Sequence, residues 1–577
     1  MRPSEFFAEL RRRHVVRVAV AYAVVAWIVI EAASTIFPAL DVPDWATSLV
    51  VVLVLLGFPV AIVISWGYDL TPAGVVKTPP SGADAVPTPL ATAGNGVPAG
   101  REAGPPPVGR LEGGDPVRGR REKSIAVLPF VNMSDDRDNE YFSDGMTEEI
   151  LNALVRVEEL FVASRTSSFA FKGSKQDVRE IASRLNVATV LEGSVRKSGD
   201  RLRITAQLIE ADEGYHLWSD TYDRKLEDVF QIQDDIARSI VDALKVELVG
   251  EEQSKPLVHH STENLEAYTL YLKGRHAYNL WTEDALDRSM DYFRRALEED
   301  PGYARAYAGI ADSLIHLADD WLAPEEAYPR AKEAAEKAVE LDESLAEAHT
   351  ALGKVLAWYE WDFDGAELVL RRAVAANPKY PEAHWVLGSV LPCNGRLVEA
   401  LKEEKEALAL DPLSGTFRAF VARIHYFLRH YDEAVAESRK TLELEPGATR
   451  AYLYMGQAYL ASGDPRRALE ILREGAEMAD VRSLDAYIAQ ALAALGEKGE
   501  ALRMLEALEA RGEGYVRDEY VAGAYTALGD FHKAFAALDR ALEARSGGLI
   551  YLHVDPNYDP LRADPRYQRF VEAVGVR

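Results

Sequence analysis

Residues 381–412 read PEAHWVLGSVLPCNGRLVEALKEEKEALALDP. Leu387-Gly388 fall on a first helix, Ala400 and Ala407 on a second, and Asp411-Pro412 closes the unit. Small residues at those positions let two paired helices pack closely. Helical blocks end in the same manner at Asp300-Pro301, Leu341-Asp342, Asn377-Pro378, Asp411-Pro412 and Glu445-Pro446, and the last three intervals are 35, 34 and 34 residues. Residues 451–480 repeat the pattern with Tyr452, Met455-Gly456, Tyr459 and Ala468. The second unit carries an insertion, WLAPEEAY, and weaker units at 484–512 and 517–546 lack the terminal proline. About eight units are expected over 263–546, with 547–577 (ending YDPLRADPRYQRFVEAVGVR) as the cap that a stack of repeats needs against solvent.

Outward from the repeats, the length of 577 residues exceeds a single core and predicts several domains. The lone Cys393 excludes an intramolecular disulfide framework, and a 48% hydrophobic content excludes a wholly disordered chain. Residues 1–123 hold 12 Lys/Arg and 11 Asp/Glu, so a net charge of −27 for the whole leaves −28 on the rest. Such a surface repels phosphate backbones, so no nucleic-acid partner is expected.

Residues 15–37 are apolar apart from Arg17 and Glu31, and 45–66 hold no charge. Two transmembrane helices are expected there, in contact with the lipid bilayer, giving a membrane anchor over 1–70. Arg2, Arg11, Arg12, Arg13 and Arg17 precede the first run, and only Asp41 and Asp44 lie between the two. That asymmetry places both ends in the cytoplasm of a bacterial inner-membrane protein, the periplasm being the alternative. Residues 71–120 have 20 Pro or Gly in 50 positions, so 71–123 is expected to be a disordered linker.

Residues 124–249 read as one α/β domain. SIAVLPF has the length of a buried strand, and Ser143 or Asp144 followed by 147–157 has the cap and period of a helix. LFVASRT follows as a strand, 175–185 as a helix, VATVLEGSVR and RLRITAQLIEA as strands about a KSGD turn, and 228–248 as a closing helix. Leu202, Ile204, Ala206 and Leu208 alternate with Arg201, Arg203, Thr205 and Gln207, so one face is buried and the other solvated.

The acidic loop Asp135, Asp136, Asp138 and Glu140 suggests a calcium site. Counted from Asp136, however, the glycine position is Tyr141 and the bidentate acid position is Thr147. Phosphate-loop, nucleophile-elbow, kinase and zinc spacings are absent from the sequence. The expectation is therefore no enzyme, no catalytic residue, no cofactor and no metal. Ser143 or Asp144 is read as the helix cap.

Two resemblances follow. The 34-residue period resembles the tetratricopeptide repeat. SIAVLPF, YFSDGMTEEI, ASRTSSFAFKG, VLEGSVRKSGDRLRITAQLIEADEGYHLWSDTYDR and VFQIQDDIARSIVDAL resemble the amino-terminal domain of TolB-like proteins over nearly all of 124–249. That second resemblance implies a domain standing between a membrane segment and helical repeats, and it brings no catalytic residues. The expected fold class is multidomain: two transmembrane α-helices, an α/β TolB-N-like domain and an all-α tetratricopeptide repeat solenoid.

A solenoid offers extended concave surface, so the expected function is a scaffold or signalling adaptor binding a protein or peptide. The alternative is a sensor whose α/β domain binds a small molecule or nucleotide. The tetratricopeptide resemblance implies that first helices line the groove. In that register Lys354, Trp385, Arg423, Tyr426, Arg450 and Gln457 form the partner-binding groove, and its cations suit an acidic or carboxylate-bearing peptide.

Overall fold

The computed structural model describes residues 68–71, 74–77, 121–134, 136, 139–246, 257, 261–280, 282–478, 482–510 and 517–577. A separate unit holds one antiparallel hairpin, β1 (Tyr68–Thr71) with β2 (Gly74–Lys77). Val75 and Val76 favour an extended chain, so β2 stands where an unstructured linker is expected.

The second unit begins with a sheet in the order β5 (Phe161–Val162), β3 (Arg121–Val127), β6 (Val187–Ser198), β7 (Arg201–Glu210), β8 (His216–Lys225), with β4 (Val131–Asn132) also on β6. β3 runs parallel to β5 and β6, and the last three strands are antiparallel. The β6–β7 hairpin turns on Gly199–Asp200, with Gly199 at φ +61°, a left-handed conformation that costs glycine little. Helices α1 (Glu140–Val155) and α4 (Val229–Ala243) cover one face through Ile150, Leu154, Ile232 and Ile236 against Ile125, Leu191, Ile204 and Leu208. α2 (Arg165–Phe169) follows β5. α3 (Val178–Leu185) is capped by Asp177, whose Oδ1 accepts from the Arg179 amide at 2.8 Å, and it covers Ala126, Val187 and Val190 on the other face.

Two expectations change here. The strand LFVASRT is only two residues long, because Ser164 accepts a hydrogen bond from the Ser167 amide and caps α2. Neither Ser143 nor Asp144 is a cap: the helix starts one turn earlier, at Glu140, and places both inside it. β8 has no counterpart among the expected strands, because of its ten residues only Tyr222 is buried and the chain there lacks an apolar alternation.

Among the described residues sixteen helices then pair into eight hairpins. The first four are α5 (Leu265–Tyr278) with α6 (Glu283–Glu299), α7 (Ala304–Asp320) with α8 (Pro324–Leu341), α9 (Ala346–Val355) with α10 (Phe363–Ala376), and α11 (Pro381–Val390) with α12 (Leu397–Leu410). α13 (Gly415–Phe427) pairs with α14 (Tyr431–Leu444), α15 (Thr449–Ala461) with α16 (Pro465–Met478), α17 (Arg482–Ala494) with α18 (Lys498–Ala510), and α19 (Asp518–Leu528) with α20 (Phe531–Glu543). Asn264 starts the series by accepting from the amides of Glu266 and Ala267, and Pro381 sits at the first helical position of α11. α21 (Pro565–Val574) closes the chain.

The expected fold class included two transmembrane helices. Among the described residues no helix is long and apolar enough to cross a membrane. The solenoid helices are 10–18 residues long, and α8, at 18, carries Glu325, Glu326, Arg330 and Lys332. The fold class is corrected to an α/β sheet domain joined to an all-α solenoid; the expected spans 15–37 and 45–66 lie outside the described residues.

The α/β domain is docked on the solenoid rather than tethered to it. α1 presents Asp144, Glu148 and Glu149 to α5 and α7. Glu148 bonds Arg275 at 3.0 Å and Arg165 at 2.8 Å, Asp144 meets His276 Nδ1 at 3.2 Å, and Glu149 bonds Arg305 at 2.8 Å, with side chains only 5% and 7% exposed. Burial pushes Glu148 up, but the Arg275 and Arg165 guanidiniums outweigh it and hold the carboxyl at about 2. Further along, Lys379 donates to the carbonyls of Val157 at 2.7 Å and Leu160 at 2.9 Å. Removing one member of a buried ion pair leaves an uncompensated charge, which costs about 3–5 kcal/mol. R305M should therefore lower the denaturant-derived stability by that order, while the E149L/R305M double variant, which buries no lone charge, should recover most of it. Equal losses in both would show that packing rather than charge dominates this junction.

Candidate functional site

The first helices α7, α9, α11, α13, α15, α17 and α19 form the inner wall of the solenoid, which faces a cavity of about 1840 Å³. Trp385, Phe420, Tyr454, Tyr487 and Tyr520 recur along that wall at intervals of 35, 34, 33 and 33 residues, and all five line the cavity. Ring centroids are 5.2 Å apart for Trp385 and Phe420 and 5.5 Å for Tyr487 and Tyr520. The repeat period makes this ladder legible, since an aromatic stands at one register position in four successive repeats and Trp385 one residue earlier in the repeat before them; of the five, only Trp385 is among the expected groove residues.

The opposite walls come from elsewhere in the chain. Leu151, Val162, Arg165 and Phe169 of the α/β domain line one side, and Tyr551, Asp555 and Tyr558 of the C-terminal segment another. That segment crosses back onto the middle repeats. The Tyr551 hydroxyl donates to the Ser389 carbonyl at 3.2 Å, Arg545 donates to the Tyr359 carbonyl at 2.7 Å, and the Arg577 amide donates to the Cys393 carbonyl at 2.9 Å. Nothing periodic in the sequence announces this return.

The six groove residues divide accordingly. Lys354 is 1% exposed; its Nζ donates to Asp312 Oδ1 of α7 at 3.0 Å and to Glu382 of α11, tying three successive first helices together. Burial works against its charge, but the two carboxylates outweigh burial and hold Lys354 protonated. Burial pushes Glu382 up as well, and Lys354 in turn outweighs that and keeps the carboxyl at about 2. Lys354 is a structural ion pair rather than a groove cation, and it does not line the cavity. Tyr426 is fully buried with its hydroxyl donating to Asp555 Oδ1 at 2.8 Å, so it too is structural. Gln457 is buried and donates to the Tyr487 hydroxyl, behind the ladder. Arg423 is buried, donates to Ser389 Oγ at 2.9 Å, and lies 4.3 Å from the Phe420 centroid and 4.7 Å from that of Tyr551. Trp385 is half-buried against Trp358, Phe417 and Phe420, and its Nε1–H has no acceptor among the described residues. Arg450 alone of the six is exposed, with its guanidinium 5.4 Å from the Phe420 centroid and no carboxylate paired with it among the described residues. The structure therefore brings Trp385, Arg423, Arg450 and Gln457 to one cavity and removes Lys354 and Tyr426 from it.

Elsewhere, Asp135 and Asp138 of the acidic loop lie outside the described residues, and among those described no group of His, Cys, Asp and Glu could hold a metal ion. Asp144 is spent on Lys172 at 2.6 Å and on His276. Burial raises its pKa, and hydrogen bonds from His276 and Lys172 more than offset that.

Residues 121–239 match the family model described as HilA/YgeH-like transcriptional regulator, second domain, while 355–414 and 428–483 match tetratricopeptide repeat models. The chain thus carries tetratricopeptide repeats, and the match for its sheet domain is to a different description from the TolB-like one. Over 240 residues the chain is 42% identical to a protein of Rhizobium meliloti (strain 1021) named "Putative adenylate cyclase 3", covering 41% of this chain and 40% of that one. Over 260 residues it is 26% identical to Superkiller protein 3 of Schizosaccharomyces pombe (strain 972 / ATCC 24843), covering 37% of this chain and 18% of that one. The chain spans well under half the length of either relative. Among solved structures, TTC0263, a thermophilic tetratricopeptide protein in Thermus thermophilus, is 24% identical with a TM-score of 0.29, covering 34% of this chain and 99% of that one. YrrB, described as a tetratricopeptide protein with an unusual peptide-binding site, is 24% identical with a TM-score of 0.26, covering 36% and 97%.

Beneath the ladder Glu404 is 0% exposed; Arg423 at 3.8 Å is its ion-pair contact, and burial pushes its carboxyl up to about 8. The folded chain then holds a proton that the unfolded chain releases, so stability falls as pH rises from about 4.5 to about 8 and is unaffected by this group outside that window. E404Q removes the titration. Relative to E404Q, wild type should lose stability across that window, on the order of a few kcal/mol. Parallel pH profiles of the two proteins in denaturant titrations would show that Glu404 is solvated after all.

Proposed function

We propose that this chain is a non-enzymatic interaction scaffold or signalling adaptor that holds an acidic or carboxylate-bearing peptide along the inner wall of its repeats. Tetratricopeptide repeats and the likeness to repeat proteins support the scaffold class. The observation that carries the finer reading is the aromatic ladder beside exposed, unpaired Arg450 on a cavity of about 1840 Å³. Burial pushes the neighbouring carboxyls of Glu404 and Glu519 toward their neutral forms. Around Phe420 the lining thereby offers Arg423 and Arg450 among aromatic rings, while acids such as Glu445 and Glu543 line the same cavity farther off. Flat rings give contact area at low entropic cost, and a guanidinium gives a carboxylate two parallel hydrogen bonds. The cyclase name belongs to a relative of which 40% is matched, and in this reading it confers no activity here. We keep the TolB-like reading of the sheet domain in the proposal, on the motifs quoted above.

The probe is a set of fluorescent acidic peptides, each made with a free and an amidated C-terminus, titrated onto the whole chain. R450E replaces an exposed residue and should leave the melting temperature unchanged. It should weaken binding of the tightest peptide about tenfold or more, the worth of one charge-assisted hydrogen bond set. Equal affinity for wild type and a folded R450E would place the partner on another surface. R423E is unsuitable for the purpose, since it buries an acid next to Glu404.

As location we propose the bacterial inner membrane, with the soluble domains cytoplasmic and the bilayer contacted by the apolar N-terminal residues. The support is compositional: residues 45–66 carry no charge, and five arginines stand in the first 17 residues. A reporter active only in the periplasm, fused after Gly250, should be silent while the chain sediments with membranes. An active reporter would select the periplasmic alternative.

A further inference from the structure

The last strand of the sheet has a partner on one side only. All of its ladder pairing is to β7, and no described strand bonds its outer edge. β8 is ten residues long, whereas β5 at the opposite edge has two. Long open edges are pairing templates, and charges along them ordinarily discourage pairing. On β8 the charges are placed differently from a simple deterrent. Asp220 and Arg224 lie on the same face as Tyr222, opposite Ala206, Leu202 and Ile204 of β7, and both are exposed and without an ion-pair partner among the described residues. Asp223 on the other face is already shared by Arg201 and Arg203.

A second copy can add to this edge antiparallel about a two-fold axis perpendicular to the sheet. Side chains opposite one another must then share a face, so the axis passes through one residue and its own symmetry mate. Axes at Asp220, Asp223 or Arg224 put like charges face to face. An axis at Thr221 sets Asp220 opposite Tyr222 and makes no ion pair. An axis at Tyr222 sets Asp220 opposite Arg224 of the second copy, twice by symmetry, with Thr221 opposite Asp223 and Ser219 opposite Lys225. It makes no like-charge pair. We propose that this chain forms a homodimer through β8, continuing the sheet across two copies in the register centred on Tyr222. The sequence between Ser219 and Lys225 is self-complementary in that register and in none of the other four.

Asp220 and Arg224 are surface residues, so their exchange leaves the core intact. The experiment is sedimentation velocity and native mass spectrometry of the whole chain, kept in one non-ionic detergent throughout, as a function of concentration. D220R and R224D should each raise the dimer dissociation constant about tenfold, because both symmetric pairs become like-charged. The D220R/R224D double variant should restore the wild-type value. An equimolar mixture of the two single variants should form heterodimers: the cation that D220R introduces then faces the anion that R224D introduces, and the native Arg224 of one copy faces the native Asp220 of the other. A monomeric wild type overturns the proposal, as would be seen if another segment of the same chain covered β8. A dimer indifferent to both single variants overturns it equally, by placing the interface elsewhere.

Discussion

One contact sets the shape of the solenoid: the place on several of its first helices where no side chain can stand. A Cβ added at Gly274 or at Gly309 would lie 2.5 Å from the ring of Phe293, which is thus held between two glycines on helices either side of it. At Gly353 and Gly456 the same added atom would lie 2.6 Å from Leu370 and Leu472. No real Cβ tolerates such distances, so at these four glycines a second helix can seat its large residue only because the first helix offers bare backbone. That close approach sets how the helices of those hairpins pack, and hairpins repeated at a similar angle give a curved wall. The cavity, the ladder on its inner side and the return of the C-terminal segment across it all follow from that curvature.

The same contact explains which features could be read from the sequence. Gly388 and Gly456 lie 68 residues apart, two periods, and together with Ala400, Ala407 and Ala468 they mark the helix pairs without any knowledge of the fold. The alternation of Leu202, Ile204, Ala206 and Leu208 likewise marks the buried face of β7. What a period cannot reveal is what fills the concave side. First-helix register puts Lys354 and Arg423 in the groove, whereas the structure buries both side chains and only Arg423 lines the cavity. Lys354 finds acids on both neighbouring first helices, Asp312 and Glu382, at sequence distances of 42 and 28, and Arg423 finds Tyr551 of the returning segment. A lysine flanked at about one period by acids is a sign of a structural ion pair, and it is present in the sequence. The pairing of Tyr426 with Asp555, 129 residues away, has no such sign.

The junction between the sheet and the repeats is polar where a simple hydrophobic seam would have been more stable. α1 offers its carboxylates at positions 144, 148 and 149, and α5 and α7 answer with His276, Arg275 and Arg305. Desolvating these charges offsets much of what their attraction contributes. Their geometry is directional, however: a rotation of α1 by one residue would carry Glu149 away from the Arg305 guanidinium and leave both charges unpaired. The pairs fix one docking arrangement, while Phe293, Tyr271 and Tyr303, continuous with the core of the sheet domain, supply the buried area.

That arrangement bears on how an occupant of the cavity would act. The walls belong chiefly to three stretches distant in sequence: 148–169 on the sheet domain, the first helices of the repeats, and 551–558. Contact with the ladder alone would leave the three stretches as they are. Contact with the ladder and with Arg165 or Phe169 together would favour whichever spacing of sheet domain and solenoid suits both, in proportion to the difference in contact between spacings. Since Arg165 is also bound to Glu148, which is bound to Arg275, the cavity wall and the docking pairs share a side chain. A ligand that draws Arg165 away removes one of the two cations holding Glu148 ionised, and the strength of the junction then depends on what stands in the cavity. Binding and docking are linked in the same free energy: as much as an occupant weakens docking by drawing Arg165 away, docking weakens the binding of that occupant.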